Sequence, residues 1–527
     1  VQLGQLLAAL PNYRLDGDAT TEVAALAWDS RRVSYGSLFV AYPGVTQDGH
    51  AFIPAAVDAG AAVVVGERDS IDVRQHLSGT KGRIPYVQVP DGREALAWLS
   101  AAWHGFPARR LTMVGVTGTD GKTTTVNLLY HILRAAGRQA GLISTVSACV
   151  CERVIDTGLH TTTPDAYAVQ SLLAEMVAVG ADICVLETTS HGLVHHRVTA
   201  CDFDVAVVTN ITHEHLDLHG SLAAYRAAKA SLFEGLTRGA RKPGIPKVAV
   251  LNRGDSSYDF LCTIKADRTL TYSPHGEADV TASDVQHVPA GTRLTLHSPR
   301  GACGVETALV GHFNVANILA ATAAALALDV PCAAMQRGLR AFACVPGRME
   351  RVERGQPFHA IVDFAHTPNS LRQVLLAGRQ LAAPDGRVIV VFGSAGRRDV
   401  DKRRLMGLAA AEMADFAVLT AEDPRSESLD DILAAMAEGC RQGGGMEGVT
   451  YVRVADRGAA ILHAVRAAKP GDVVLVCGKG HEQSMCFGEE EYPWDDRAAL
   501  AAALEGRAVD TLPTGRGAKG KLGAQSP

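Results

Sequence analysis

Short apolar runs alternate along the chain with longer Ala-rich stretches. Ser37-Leu38-Phe39-Val40-Ala41, Ala62-Val63-Val64-Val65, Leu111-Thr112-Met113-Val114-Gly115-Val116, Ile183-Cys184-Val185-Leu186 and Val205-Ala206-Val207-Val208 have the length and β-branched content of buried strands. Val388-Ile389-Val390-Val391-Phe392, Phe416-Ala417-Val418-Leu419 and Val473-Val474-Leu475-Val476 repeat the pattern later. Between such runs, apolar residues at helical spacing, as at Val126, Leu129 and Leu133 before Gly137, predict helices. The alternation predicts an α/β fold with helices layered on parallel sheets. Each run ends in a polar, Gly-rich or acidic segment, and ligands of open α/β sheets sit beyond the carboxyl ends of the strands. Those segments are where chemistry is to be sought.

The pattern divides into regions 1–107, 108–343 and 344–510, and the Gly-, Lys- and Pro-rich residues 511–527 read as a disordered tail. A length of 527 residues suits three domains, and 47% hydrophobic with 20% charged residues is the composition of a folded chain. The net charge of -5 leaves no basic excess to follow a nucleic-acid backbone. No run reaches the ~18 apolar residues of a membrane helix, and the first residues do not resemble a secretory leader, so the expectation is a cytoplasmic protein that binds neither nucleic acid nor membrane. The 11 cysteines show no CxxC pair or zinc spacing and are expected to be reduced, mostly buried, small hydrophobes.

Gly115-Val116-Thr117-Gly118-Thr119-Asp120-Gly121-Lys122-Thr123-Thr124 stands between a predicted strand and helix. Glycines there let backbone amides face phosphate oxygens, Lys122 offers a point charge to the outer phosphates, and the Thr123 hydroxyl is placed to reach Mg²⁺. The first glycine lies one residue earlier than in the general Walker pattern. Glu187, in Glu187-Thr188-Thr189-Ser190-His191-Gly192, ends another strand as a carboxylate suited to Mg²⁺. Asn210-Ile211-Thr212-His213-Glu214-His215-Leu216-Asp217 follows a third strand, and Mg²⁺ beside a nucleotide is a more economical reading of its histidines and acids than zinc. Lys229, on the next helix, reads from the residues alone as a solvated lysine, and Asn314 in Gly311-His312-Phe313-Asn314-Val315-Ala316-Asn317 reads as a helix cap.

The Gly-x-x-Gly-x-x-Gly-Lys-Thr spacing resembles the ATP loop of the Mur ligase family, the amide-forming synthetases of peptidoglycan precursor assembly, and of their folylpolyglutamate synthetase relatives. The resemblance extends from about residue 25 to 505. It implies a central P-loop-type parallel-sheet domain after a UDP-substrate domain, then a Rossmann-like C-terminal domain that binds the acceptor. It also implies ATP and Mg²⁺, with ATP contacts at Gly118, Thr119, Asp120, Gly121, Lys122, Thr123, Thr124, Asn314 and Asn317. Pro346-Gly347-Arg348 and Val362-Asp363-Phe364 resemble segments that meet phosphate through Arg348 and ribose through Asp363. Lys229 matches the lysine that members carbamylate, which turns a cation into an anionic oxygen ligand for metal, and His215 matches a histidine metal ligand. The implied metal set is then Thr123, Glu187, His215 and carbamylated Lys229, and the implied catalytic set Lys122, Lys229, His215 and Arg348.

Within the family, Asp29-Ser30-Arg31 resembles a uridine-site signature, with Ser30 as the contact. Thr162, Thr163, Ser190, His195 and Arg197 match contacts to a muramoyl dipeptide, His195 standing where glutamine is usual. These features imply a monomeric enzyme that adds a free dibasic amino acid to UDP-N-acetylmuramoyl-L-alanyl-D-glutamate through an acyl phosphate. Arg398, Asp423, Arg425, Gly478 and Glu482 match the acceptor contacts. Glu422-Asp423-Pro424-Arg425 replaces the Asp-Asn-Pro-Arg of diaminopimelate-adding members. Arg425 suits a distal carboxylate, while Asp423, an anion in place of an amide, suits the bare ammonium of L-lysine or L-ornithine; the balance leans to meso-diaminopimelate. The competing expectations are another Mur-type or folylpolyglutamate-type ligase, and an ATP-dependent switch without ligase activity.

Overall fold

The computed structural model describes residues 1–44, 47–79, 82–155, 163–212, 219–288, 291–397 and 399–514. Thr162, His215 and Arg398, and residues 515–527 of the expected tail, lie outside the described residues. Contacts group the chain into two compact units. The first holds Val1–Lys122, Ala136–Thr271 and Leu326–Asp329, the second Thr123–Ala135, Tyr272–Ala325 and Val330–Pro527.

The first unit carries two large sheets, besides the short pair Ser78–Gly79 and Gly82–Arg83. One has five strands in the order Arg14–Asp16, Tyr86–Gln88, Val63–Gly66, Ser37–Val40, Ala25–Ala27, parallel except at the first pair. Its central strands are buried on both faces: Leu38, Val40, Val63 and Val65 enter one apolar cluster, Phe39 and Val64 another. That two-sided burial is why these runs are continuously apolar rather than alternating. The second sheet has eight strands, at whose centre Ala140–Ile143, Ile183–Glu187, Thr112–Thr117, Val205–Val208 and Val248–Asn252 lie side by side and parallel. Parallelism brings the carboxyl ends of all five, and the polar segments that follow them, to one sheet edge.

The second unit carries a three-stranded antiparallel sheet (Thr281–Val288, Gly291–Ser298, Gly301–Thr307) and a six-stranded sheet. The six strands run Glu350–Arg351, His359–Asp363, Val473–Cys477, Val388–Phe392, Phe416–Leu419, Tyr451–Arg453, all parallel but the first. Val388, Val390 and Phe392 face one core; Ile389 and Val391 face the other. The carboxyl ends of the parallel strands again share an edge, from which Phe364, Gly393, Thr420 and Gly478 lead into loops.

Two expectations need correction. Cys303, on the strand Gly301–Thr307, and Cys332, opening the helix Cys332–Ala341, form a disulfide. They are 29 residues apart and are brought together by the packing of strand on helix, which no local spacing announces. The chain is also ordered past Thr511. Leu512 is fully buried in the apolar cluster of Ile461 and Leu500, and the Thr514 hydroxyl donates to Asp456 Oδ2 at 3.0 Å. A single apolar residue in a polar tail thus suffices to anchor its first turn.

Candidate active site

In the first unit the Gly-rich segment leaves strand Thr112–Thr117 and is tied down on several sides. Gly118 has φ 151, and an added Cβ would stand 1.8 Å from Thr209 Oγ1, so only glycine fits. Asn210 accepts from Thr119 N through its carbonyl at 2.8 Å and from Asp120 N through Oδ1 at 3.0 Å. The Asp120 carbonyl receives Thr209 Oγ1 at 2.6 Å and Asn210 Nδ2 at 3.1 Å. Thr119 Oγ1 lies 3.1 Å from the Tyr225 hydroxyl, and Lys122 Nζ donates to the Thr119 carbonyl at 2.7 Å. The chain then enters the helix Lys122–Ala135, where Thr123 and Thr124 are buried.

Lys229 is not a solvated lysine. It is 1% exposed, lies 4.6 Å from the centre of the Tyr225 ring, and donates from Nζ to the Gly118 carbonyl at 2.6 Å. The helix Leu222–Arg238 therefore delivers a buried amine beneath the loop. Glu187 is equally buried, with Oε2 accepting from Thr145 N at 3.0 Å and Thr145 Oγ1 at 2.9 Å. Thr209, Asn210 and Tyr225, which brace the loop, were not foreseen as site residues; Asn210 alone carried a signal, standing beyond a strand.

Thr163, Ser190, His195 and Arg197 gather around the short helix Ser190–Val194. Thr163 Oγ1 donates to the Glu187 carbonyl at 3.1 Å, and the Thr163 carbonyl accepts from Arg197 Nη1 at 2.8 Å. Ser190 is buried behind the capping residue Thr189. His195 Nδ1 accepts from Arg93 Nη1 at 2.9 Å. Burial, and then the charge of Arg93, lower its pKa, so the imidazole is held neutral. Arg93 is a residue that sequence reasoning missed; it lies 102 positions from His195, on the helix Gly92–Trp103. At Asp29-Ser30-Arg31, Asp29 caps the turn and binds the Arg31 guanidinium at 2.7 Å, which with the Arg31 amide, and against the opposing effect of burial, leaves its pKa at about 2. Ser30 is half-buried within that turn.

In the second unit, Asp363 accepts from the Met349 and Ala365 amides, each at 2.7 Å. Arg348 stacks its guanidinium 4.4 Å from the Phe364 ring centre, and its buried Nε has no hydrogen-bond partner among the described residues. Gly347, at φ 68, lies so close to His481 that a Cβ would stand 2.1 Å from the His481 amide nitrogen. Burial, reinforced by Arg348, lowers His481 to about 3. Asn314 is not a cap: it sits inside the helix His312–Ala327, donates to the Val310 carbonyl at 2.8 Å and accepts from Asn317 at 2.9 Å.

Around the acceptor motif, Asp423 Oδ1 accepts from Lys479 Nζ at 2.9 Å and from the Cys486 amide at 3.0 Å. The Asp423 carboxylate, which in the sequence pulls toward a bare ammonium, thus has a cation of the chain beside it. Lys479 also pairs with Glu482, at 2.5 Å. Arg425, at φ 52, is fixed by its amide to the Cys486 carbonyl at 3.1 Å, while its buried Nε has no partner among the described residues. Gly478 lies against Glu422, whose Oε2 is buried without a partner and whose pKa is raised by burial. Ser394 Oγ and Thr420 Oγ1, past the ends of neighbouring strands, are likewise buried and unpartnered. Native proteins leave few such atoms dry and empty, so their concentration at one edge marks a place that water or ligand completes.

Three family descriptions cover most of the chain: a Mur ligase catalytic domain over residues 22–104, the Mur ligase middle domain over 116–325 and the Mur ligase glutamate ligase domain over 347–480. The chain belongs to the Mur ligase family. It is 41% identical over 508 residues to UDP-N-acetylmuramoyl-L-alanyl-D-glutamate–2,6-diaminopimelate ligase of Geobacillus thermodenitrificans (strain NG80-2), covering 96% of this chain and 100% of that one. It is 43% identical to UDP-N-acetylmuramyl-tripeptide synthetase of Roseiflexus sp. (strain RS-1), covering 92% and 94%. A solved structure of a UDP-N-acetylmuramoyl-L-alanyl-D-glutamate–2,6-diaminopimelate ligase matches with TM-score 0.66 and 30% identity, over 96% of this chain and 99% of that one. The fold is the three-domain α/β architecture of the family.

Proposed function

We propose that the protein is an ATP-dependent acid–amino-acid ligase that adds meso-diaminopimelate to UDP-N-acetylmuramoyl-L-alanyl-D-glutamate, with release of ADP and phosphate, in peptidoglycan precursor synthesis. The observation that carries this reading is near-full-length similarity to relatives named for that reaction. A carboxylate does not condense with an amine in water unaided. The D-glutamyl side-chain carboxylate attacks the γ-phosphate and gives an acyl phosphate and ADP; the acceptor amine then attacks the acyl carbon, and phosphate leaves as the amide forms. Lys122, the Gly118 and Gly121–Thr124 amides and the Thr123 and Thr124 hydroxyls hold phosphate oxygens, with Thr119 and Asp120 keeping the loop in shape through Asn210, and Arg348 spreads the transferred charge. Asn314, Asn317 and Asp363 hold the nucleoside; Ser30, Thr162, Thr163, Ser190, His195 and Arg197 hold the UDP-linked dipeptide. Arg398, Arg425, Gly478 and Glu482 orient the amino acid, and Asp423 stands in the same set with its carboxylate paired to Lys479.

The hard oxygen donors of Thr123 and Glu187, joined by His215, suit Mg²⁺, which when bound neutralises phosphate charge. We assign Lys229 to that set as a carbamate: a buried amine beneath a phosphate loop is costly as a cation near metal, and CO₂ converts it to an oxygen ligand. The functional divisions are assigned to residues 1–107, 108–343 and 344–510. A monomer acting in the cytoplasm, where ATP and UDP-linked precursors reside, completes the reading; no helix among the described residues is long and apolar enough to cross a membrane.

The test is incubation with ATP, Mg²⁺, bicarbonate and the UDP-dipeptide, with meso-diaminopimelate, L-lysine or L-ornithine added separately. Diaminopimelate-dependent phosphate release, with the product mass of one added residue, is expected. ATP binding without amino-acid-dependent release from any acceptor would leave a nucleotide-binding protein and overturn the ligase reading.

A further inference from the structure

Lys479 belongs to none of the residue sets assigned above, yet it is a buried cation at the acceptor edge. It is 1% exposed, on the loop that follows strand Val473–Cys477, and stands between two carboxylates: Asp423 Oδ1 at 2.9 Å and Glu482 Oε2 at 2.5 Å. Burial alone would lower its pKa, but the charges and hydrogen bonds of Glu482 and Asp423 outweigh that, and the pKa is raised. The ammonium is therefore a permanent charge. Asp423 is held from a second side by the Cys486 amide, and its carbonyl accepts from the Gly396 amide at 2.8 Å, so it has little freedom to turn toward a different cation.

The charges joined directly to Lys479 can be counted, apart from Glu422 of the same motif, buried against Gly478, and from Arg457, whose guanidinium donates to the Ala421 and Cys477 carbonyls. Asp423 and Glu482 bring two negative charges and Lys479 one positive, leaving a single net negative. Arg425, pinned through the Cys486 carbonyl to the hairpin of strands Ser484–Phe487 and Glu490–Pro493, is a cation with no ion-pair partner among the described residues. One net anion beside one free cation complements a zwitterion. With Lys479 neutralised, two anions would face one cation, and the same place would complement an ammonium.

We propose that Lys479 is a positioning residue that sets acceptor specificity: by cancelling the charge of Asp423 it makes the site select an amino acid whose far end carries both an ammonium and a carboxylate over one whose far end is a bare ammonium. The inference rests on the ligase reading above and deepens it. It assigns the compensation for the acidic replacement in Glu422-Asp423-Pro424-Arg425 to a lysine 56 residues further along the chain.

The test compares kcat/KM for meso-diaminopimelate with kcat/KM for L-lysine in the full-length protein and in Lys479→Met, Asp423→Asn and the double variant. Lys479→Met is expected to lower the diaminopimelate-to-lysine ratio by about tenfold or more, chiefly through KM for diaminopimelate. Asp423→Asn, which leaves Lys479 paired with Glu482, is expected not to lower that ratio, and adding it to Lys479→Met is expected to restore most of the lost selectivity, since the two charge changes cancel. If Lys479→Met slows both acceptors equally and Asp423→Asn rescues nothing, the lysine is structural only. If Asp423→Asn alone lowers the ratio tenfold, Asp423 itself addresses the acceptor. Either result overturns the inference while leaving the ligase standing. Should Lys479→Met not fold, with Asp423 left buried and unpaired, the double variant carries the decision: a ratio near that of the parent supports the inference, a tenfold change sinks it. Absence of product with every acceptor in the parent protein removes the ligase reading and this inference together.

Discussion

The phosphate-loop edge of the first unit and the acceptor edge of the second are built on the same plan and finished differently. Both stand at the carboxyl ends of parallel strands. At the first, the Thr119 and Asp120 amides, the Asp120 and Gly118 carbonyls and the Thr119 hydroxyl are all engaged, by Asn210, Thr209, Lys229 and Tyr225. At the second, Ser394 Oγ, Thr420 Oγ1, Glu422 Oε2, Arg425 Nε, Arg348 Nε and His481 Nδ1 are buried with no partner among the described residues. Thr117 Oγ1, at the end of its strand, is open at the first edge too, so the difference is one of degree: the first is largely set before its ligand arrives, and the second keeps more of its hydrogen-bonding capacity open. A triphosphate is common to many enzymes and gains from a rigid receptor, whereas an acceptor that must be told from near relatives is discriminated by groups left unpaired when the wrong one binds.

The contrast predicts different failures. Lys122→Ala at the braced edge is expected to lower kcat by roughly 10²- to 10³-fold while the protein remains folded, because one charge aimed at developing phosphate charge is lost. Single-turnover phosphate release with circular dichroism as a folding control checks this. A fall confined to KM would mean the loop is not the rigid element described. Arg425→Ala at the open edge should act on KM instead: about 10- to 100-fold for meso-diaminopimelate with kcat little changed, the loss expected of a charged hydrogen bond worth ~1.5–3 kcal/mol. L-Lysine, with no distal carboxylate, should be much less affected, and equal losses for both acceptors would erase the contrast.

The smallest effect is on stability. His481 is lowered from 6.5 to about 3 by burial and by Arg348. The unfolded chain takes up a proton below pH 6.5 that the folded one refuses, so stability is full above that value and falls as pH drops toward 3. By pH 5 the loss is about 2 kcal/mol. Denaturant midpoints measured from pH 7.5 to 5 should show this slope, and His481→Asn should flatten it.

The elements that were legible in the sequence are those whose signal is local. The central strands were readable because burial on both faces makes them continuously apolar, and the phosphate loop because its glycines and lysine are consecutive. What stayed hidden is set by partners far apart in sequence. Nothing near Lys229 says that it points under Gly118; nothing near His195 points to Arg93. The pull of Asp423 against that of Arg425 stayed open for the same reason: the counter-ion of Asp423, Lys479, is on another strand's loop. Cys303 and Cys332 joined across strand and helix repeat the lesson.

The burial of Leu512 bears on how the protein is handled at the bench. Residues past 510 invite trimming or replacement by a purification handle, since their composition looks dispensable. A cut at 510 would withdraw a fully buried leucine from the cluster beneath the helix Asp496–Leu504, and the Thr514 hydroxyl from Asp456, which caps the helix Arg457–Ala467. A shortened version should therefore stop after Thr514, and a C-terminal handle should be joined beyond that point, so that poor yield or low melting temperature is not mistaken for a property of the enzyme.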